Sequence, residues 1–277
     1  MKTDHYHLKI VPIEEILTHE KFDCSRTEPL VKKLIADGRI TNPIIVAEMD
    51  SGKYLQLDGM NRLSAFKKLG FKTILVQIVD YNDQENVDLS SWTHLFKANP
   101  LEFINEVKQI DGLTVKEGKT ENVGYRYIKE KGLGRLCTVC SKNKKVYLIS
   151  TNGDLMNKVS CLNKIVEIYE KNIVRDILLP YLNKGDIYFL FNQHHNNNMM
   201  LVFPTFTRHQ VIKVVENGGY FPAGLTRHII RRRCLNVNLD LKVFEAKNSL
   251  AKQNRILEKF ITSRPFRVFE EQVIYFE

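Results

Sequence analysis

Tyr54 to Leu57 is an apolar run that leads straight into Asp58-Gly59-Met60-Asn61-Arg62, and beyond it Leu63, Phe66 and Leu69 recur at helical spacing before Gly70. A strand that turns on Asp-Gly into a helix sets unpaired backbone N–H groups and the positive helix end beside a carboxylate. The N–H groups suit a phosphate, the acid suits a metal or a substrate, and Arg62 adds a fork-shaped donor for the same anion. The same dipeptide also serves as a plain turn with an N-cap, so the chemistry depends on its surroundings. Two further polar elements stand out: Thr18-His19-Glu20-Lys21-Phe22-Asp23, and Thr226-Arg227-His228 after the glycine-containing loop Tyr220-Phe221-Pro222-Ala223-Gly224.

The elements that must position these groups read as two lobes with a cleft between them. In the first, residues 1–82, His7 to Val11 forms a strand, Ile13 to Leu17 a short helical turn, and Glu28 to Asp37 an amphipathic helix stopped by Gly38. Pro43 to Glu48, Tyr54 to Leu57 and Ile74 to Val79 are β-branched or aromatic-rich strands, and Asp50-Ser51-Gly52-Lys53 is a hairpin signal. This order predicts a small mixed sheet. Residues 83–157 are polar and carry glycines at 112, 118, 124, 132 and 134, which predicts a connecting region. In the second lobe, residues 158–277, an amphipathic helix is expected from Val159 to Leu179, strands at Asp186–Phe191 and Met199–Phe203, and a helix from Thr207 to Asn217. A basic stretch with a helical pattern follows Gly224, then a charged helix after Lys247 and a strand-like run from Phe266 to Phe276.

A chain of 277 residues, 43% of them apolar, can bury one large or two modest cores. No run of about 18 apolar residues exists, so no membrane span is expected. Met1-Lys2-Thr3-Asp4-His5 lacks the apolar stretch of a signal peptide, and five scattered cysteines fit a reduced setting, so the expected location is cytoplasmic. The formal charge of +9 serves nucleic acid or a phosphate-bearing small molecule equally, because basic residues cluster only at Lys142–Lys145 and Arg231–Arg233.

Pro12-Ile13, His19-Glu20 and Asp58-Gly59-x-Asn61-Arg62, with the Glu28–Asp37 helix between, resemble the ParB/sulfiredoxin-like nucleotide-binding domain. Pro222-Ala223-Gly224-Leu225-Thr226-Arg227-His228 is similar to the second-lobe signature of the ParB-like free L-serine kinases. Relatives often carry two histidines after Asp-Gly, where Met60 and Asn61 stand here. The resemblance implies an α/β (α+β) chain: a ParB/sulfiredoxin-like nucleotide-binding domain plus a second mixed α/β lobe. It also implies a kinase that uses ATP or ADP with Mg²⁺ to convert free L-serine to O-phospho-L-serine, feeding siderophore (staphyloferrin B) precursor synthesis.

On that resemblance Glu20 is the acceptor of the serine hydroxyl proton, since phosphoryl transfer asks for orientation more than for a strong base. Asp58 holds the serine ammonium or the nucleotide-bound Mg²⁺. The N–H groups of Gly59, Met60 and Asn61, with Arg62 and Arg227, take the nucleotide phosphates. Trp92 walls the serine pocket, and Thr226 and His228 donate to the serine carboxylate. Without the resemblance, Glu20 is an exposed acid in a polar turn, Thr226 a helix cap and Trp92 a packing residue.

The alternative is a ParB-type, nucleotide-switched DNA-binding transcriptional regulator, which needs a helix-turn-helix after the nucleotide domain. Leu89 to Lys131 is too polar and glycine-interrupted to make one. Cys137-x-x-Cys140 is half of a zinc site with no second pair at finger spacing, which favours structural cysteines, and His194-His195 sits in an asparagine-rich loop.

Overall fold

Five short β-branched or aliphatic runs build the sheet that carries the Asp58 turn. In chain order the elements are β1 (Leu8–Pro12), β2 (Ile16–Leu17), α1 (Cys24–Asp37), β3 (Arg39–Ile40), β4 (Ile44–Glu48), β5 (Tyr54–Asp58), α2 (Met60–Lys68) and β6 (Thr73–Val79) in this computed structural model, which describes residues 2, 5–21, 24–124, 126–177 and 188–269. The strand order is β1-β6-β4-β5-β2. β1/β6 and β4/β5 are antiparallel, β4/β6 and β2/β5 parallel, so the sheet is mixed as its sequence order requires. The β4–β5 hairpin closes through Met49 N to Lys53 O at 2.8 Å and Gly52 N to Met49 O at 2.9 Å. The start of α1, at Cys24 rather than Glu28, and the Ile13–Leu17 turn differ in detail: Ile13–Glu15 is a single 3-10 turn, and Ile16–Leu17 already pairs with β5.

From Val87 the chain builds a second unit: β7 (Val87–Ser91), β8 (Thr93–Phe96), α3 (Pro100–Lys108), β9 (Leu113–Gly118), β10 (Leu133–Ser141), β11 (Val146–Asn152), α4 (Leu155–Glu167), β12 (Val174–Asp176), α5 (Phe189–Gln193), β13 (Met199–Val202), α6 (Arg208–Glu216) and β14 (Thr226–Ile230). Six strands form an antiparallel sheet in the order β12-β8-β13-β10-β11-β9, and β7 pairs with β14. Its apolar cluster includes Leu95, Cys140, Val146, Phe191, Met200 and Val202. The chain then rejoins the first unit through β15 (Leu239–Asp240), antiparallel to β3, and α7 (Leu250–Thr262).

The boundaries therefore do not fall at 82 and 157. The first unit is Met1–Leu17, Asp23–Asn86 and Ile230–Glu277; the second is Thr18–Phe22 and Val87–Ile229. Hydrophobic burial explains the C-terminal return. Val237, Leu239, Val243, Phe244 and Leu257 are buried in one cluster with Ile10, Ile44, Phe66 and Ile74, and Phe244 meets Phe66 edge-on at 5.3 Å. The expected connecting region is most of a sheet, because its glycines punctuate strands: Gly112 and Gly132 take positive φ in turns, and Gly118 closes β9.

Four other elements differ from expectation. The Val159–Leu179 helix stops at Glu167, and Val174–Asp176 is a strand paired with β8, with residues 178–179 outside the described set. Within Asp186–Phe191, residues 186–187 lie outside the described set, and Phe189–Gln193 is a short helix rather than a strand. The basic stretch after Gly224 is a strand, not a helix. Of Phe266–Phe276, residues 266–269 have no regular structure and the remainder lies outside the described set. No helix of the described residues is long and apolar enough to cross a membrane.

Candidate active site

The Asp58 turn belongs to the first unit. β5 ends at Asp58, and Gly59 takes φ +94° to start α2, whose first N–H groups receive no side-chain cap. A Cβ on Gly59 would lie 2.7 Å from Ile44 Cγ2, so glycine is required by both conformation and space. Arg62, one turn into α2, donates from Nη1 to Pro43 O at 2.7 Å and Asn42 O at 3.0 Å, and from Nη2 to Asp58 Oδ2 at 3.3 Å. Arg233 also donates to Asp58 Oδ2. In the sequence Arg233 is one of a basic cluster; its partner lies 175 residues away, and no local pattern marks it.

Asp58 is 38% exposed, and its Oδ1 accepts no hydrogen bond among the described residues. Asn61 Oδ1 is buried without a partner among the described residues. Asp58, Gly59, Met60, Asn61 and Arg62 thus form one turn that offers backbone N–H groups, the Arg62 guanidinium and one open carboxylate oxygen, with the Arg233 guanidinium beside it. Those are the groups a polyphosphate with an attached hard cation requires. Among the described residues no set of three His, Cys, Asp or Glu side chains could hold a metal, so an ion at Asp58 would have to take its remaining ligands from phosphates or water.

The Glu20 cluster belongs to the second unit. Residues 18–21 run extended beside Phe221: Phe221 N donates to His19 O at 2.7 Å and Lys21 N to Phe221 O at 3.0 Å. Phe22 and Asp23 of this element lie outside the described residues. The loop then turns at Gly224, φ +70°, and aims its amides at Glu20. Gly224 N donates to Glu20 Oε2 at 2.8 Å, while Thr226 N at 2.6 Å and Thr226 Oγ1 at 2.5 Å both donate to Oε1. A carboxylate offers about four lone-pair sites. Both on Oε1 are used, and Oε2 keeps one. Glu20 is only 12% exposed, so the exposed acid of the plain-turn alternative is not what is found.

His19, 3% exposed, lies 2.7 Å from Thr226 Oγ1 through Nε2. Because the Thr226 hydroxyl proton goes to Glu20, His19 Nε2 must carry the proton and donate. His19 Nδ1 is buried with no partner among the described residues, and the His19 and His228 rings meet edge to face at 5.1 Å. On β14 Thr226 and His228 are buried while Arg227 alternates to the other face, where its guanidinium covers Trp92 at 5.2 Å. Trp92 N donates to Leu225 O at 2.9 Å, so this residue braces the same loop. Glu20, Thr226 and His228 are brought together, with Trp92 and Arg227 beside them. His19 was present in the motif without a role; its buried neighbours come from distant chain and leave no local signal.

The remaining polar features are structural. Cys137 and Cys140 are free and buried in β10, where burial pushes both thiols well up. His194 pairs with Asp176 at 2.6 Å. Arg231 to Arg233 form no helix; Arg231 N donates to Asn86 O at 3.0 Å and Gln77 Nε2 donates to Arg232 O.

Residues 2–92 match the ParB N-terminal domain family. The chain is 26% identical to the ATP-dependent L-serine kinase SbnI of Staphylococcus aureus, over 99% of this chain and 98% of that protein. It is 25% identical to the ATP-dependent L-serine kinase of Staphylothermus marinus, over 82% of this chain and 86% of that protein. Among solved structures it resembles C-terminally truncated SbnI from Staphylococcus aureus, with a TM-score of 0.71, 23% identity and coverage of 93% of this chain and 96% of that one. It also resembles a free serine kinase in complex with AMP, with a TM-score of 0.67, 18% identity and coverage of 88% and 95%.

Proposed function

We propose that this chain is an ATP-dependent kinase of free L-serine. The observation that carries the proposal is the end-to-end similarity to an ATP-dependent L-serine kinase, over 99% of this chain and 98% of that relative. The DNA-binding alternative lacks its scaffold: between Val87 and Asn152 the described residues form five strands and one α-helix, not a helix-turn-helix.

In the reaction the serine hydroxyl oxygen attacks the γ-phosphorus of ATP, the bond to the bridging oxygen of ADP breaks, and the hydroxyl proton passes to Glu20. O-phospho-L-serine and ADP leave, and Glu20 returns its proton to solvent. Oε2 is the receiving atom, since its remaining lone pair is the only one not engaged by Gly224 or Thr226. Fixing the carboxylate by two amides and a hydroxyl supplies the orientation that a loose phosphoryl-transfer transition state rewards. Thr226 spends both donors on Glu20, which makes it a support for that acid as well as a neighbour of the serine carboxylate. His228, on the Thr226 face of β14, lines the serine side, while Trp92, under Arg227 on the other face, braces the loop.

The N–H groups at Gly59, Met60 and Asn61 and the guanidinium of Arg62 bind nucleotide phosphates, and Arg227 adds charge toward a phosphate. Asp58 Oδ1 would ligate a Mg²⁺ that arrives with the nucleotide and neutralises phosphate charge. The test is direct: protein, MgATP and L-serine are incubated and O-phosphoserine is measured by mass spectrometry. Product that requires serine and is absent with threonine supports the proposal, and absence of product with every nucleoside triphosphate tried rejects it.

A further inference from the structure

β8 and β12 lie side by side with His94 opposite Arg175 in register, so both side chains leave the sheet on one face. They reach consecutive carbonyls of the loop that serves Glu20: His94 Nε2 lies 2.7 Å from Gly224 O, and Arg175 Nη2 lies 3.1 Å from Ala223 O. His94 is completely buried, edge-on to Phe203 at 4.8 Å and to Tyr169 at 5.9 Å. A carbonyl only accepts, so Nε2 carries a proton. Burial pushes the imidazole down to about 3, which leaves Nδ1 as an acceptor at neutral pH. The Tyr169 hydroxyl, 3.1 Å away, then donates to Nδ1.

Donation therefore runs one way, from Tyr169 O–H to His94 and from His94 N–H to Gly224 O. The N–H of Gly224 itself donates to Oε2 of Glu20, the oxygen with the open lone pair. Arg175 packs so tightly on this turn that a Cβ on Gly224 would sit 1.8 Å from its Nε. Every group in the chain is within the second unit.

We propose that His94 is a positioning residue for the transfer: it fixes the Gly224 peptide and thereby aims Oε2 of Glu20, touching neither substrate. This rests on the kinase assignment, in which Glu20 accepts the serine proton. A misaimed base costs rate without costing affinity, and a displacement of about 1 Å can cost about 100-fold.

Two variants separate positioning from packing. His94→Phe keeps a ring but has no donor, whereas His94→Gln places an amide N–H near the position of Nε2. With the thermal midpoint recorded for each, His94→Phe is expected to lower kcat about 10- to 100-fold while KM for serine and for ATP stays within about twofold. His94→Gln recovers most of the loss, and Tyr169→Phe lowers kcat by less than His94→Phe. On a Glu20→Ala background, adding His94→Phe costs nothing further, because the group it aims is gone. Unchanged kcat in His94→Phe, or an equal fold loss on the Glu20→Ala background, overturns the proposal. If His94→Phe does not fold, His94→Gln and Tyr169→Phe decide by the same split of kcat from KM. Should the wild type form no phosphoserine, the kinase assignment falls and amide hydrogen exchange decides the positioning claim. Faster exchange at Gly224 in His94→Phe than in wild type and His94→Gln supports it; equal rates reject it.

Discussion

Asp58 and Glu20 are two carboxylates held in opposite ways. Asp58 is 38% exposed, and its one engaged oxygen accepts from two guanidinium groups, the mostly buried Arg62 and the half-exposed Arg233. Glu20 is 12% exposed, and its donors are two backbone amides and one buried hydroxyl. Arg62 is pinned to the carbonyls of Asn42 and Pro43, but the half-exposed Arg233 can be traded for a ligand's phosphates at modest cost, because such half-solvated pairs contribute little. Backbone amides cannot be traded without moving the loop that carries them. The first arrangement suits a site that must exchange nucleotide, the second an acid that must stay aimed.

The left-handed glycine beside each acid, Gly224 for Glu20 and Gly59 for Asp58, offers the strongest way to break this contrast. Gly224→Ala drives a Cβ into Arg175 and forces φ +70° on an L-residue, so phosphoserine formation should fall about 100-fold or more, mainly in kcat. Gly59→Ala meets Ile44 at 2.7 Å with φ +94° and should act mainly on KM for ATP. Steady-state kinetics on the pair checks this, and if both glycines move the same parameter the contrast is lost. Asp58→Asn keeps an acceptor for both arginines but removes the charge, so KM for MgATP should rise about 10-fold and the Mg²⁺ requirement shift upward, with kcat less affected.

A smaller effect comes from pH. His94 is held neutral in the fold down to about 3, whereas an unfolded chain's histidine protonates near 6.5. The unfolded state therefore binds more protons across that interval, and the stability carried by neutral His94 is complete above 6.5 and is lost as pH falls toward 3. The slope is up to about 1.4 kcal/mol per pH unit. Urea unfolding at pH 7 and 5 should show His94→Gln losing less stability over this step than the wild type. The smallest effect is expected at Arg233→Gln: this half-exposed pair should contribute no more than about 1 kcal/mol, read as a small shift in the thermal midpoint that high salt erases.

The same contrast explains what could be read from the chain alone. The Asp58 turn is local: an apolar strand, an acid, a glycine and a helical period within a dozen positions fix its geometry, and its sheet follows from short β-branched runs. The Glu20 clamp is non-local. Its amides come from residues 224 and 226, and the loop is in turn braced by Trp92 at the β7–β8 junction, His94 on β8 and Arg175 on β12. Local period also misled where tertiary pairing prevailed. The basic run at Thr226–Ile230 has helical spacing yet pairs with β7, and Val174–Asp176 leaves a helical pattern to pair with β8. The return of Val243, Phe244 and Leu257 to the first unit depends on burial against Phe66 and Ile74, which spacing within the tail does not encode.

The central claim is that Glu20 takes the serine proton while the nucleotide is held elsewhere. It is tested by Glu20→Gln in a single-turnover assay, with ATP affinity measured by calorimetry on the same preparation. Phosphoserine formation slowed about 100- to 10,000-fold with ATP affinity unchanged is the expected result. Wild-type rate in the variant, or ATP affinity lost together with rate, would contradict it.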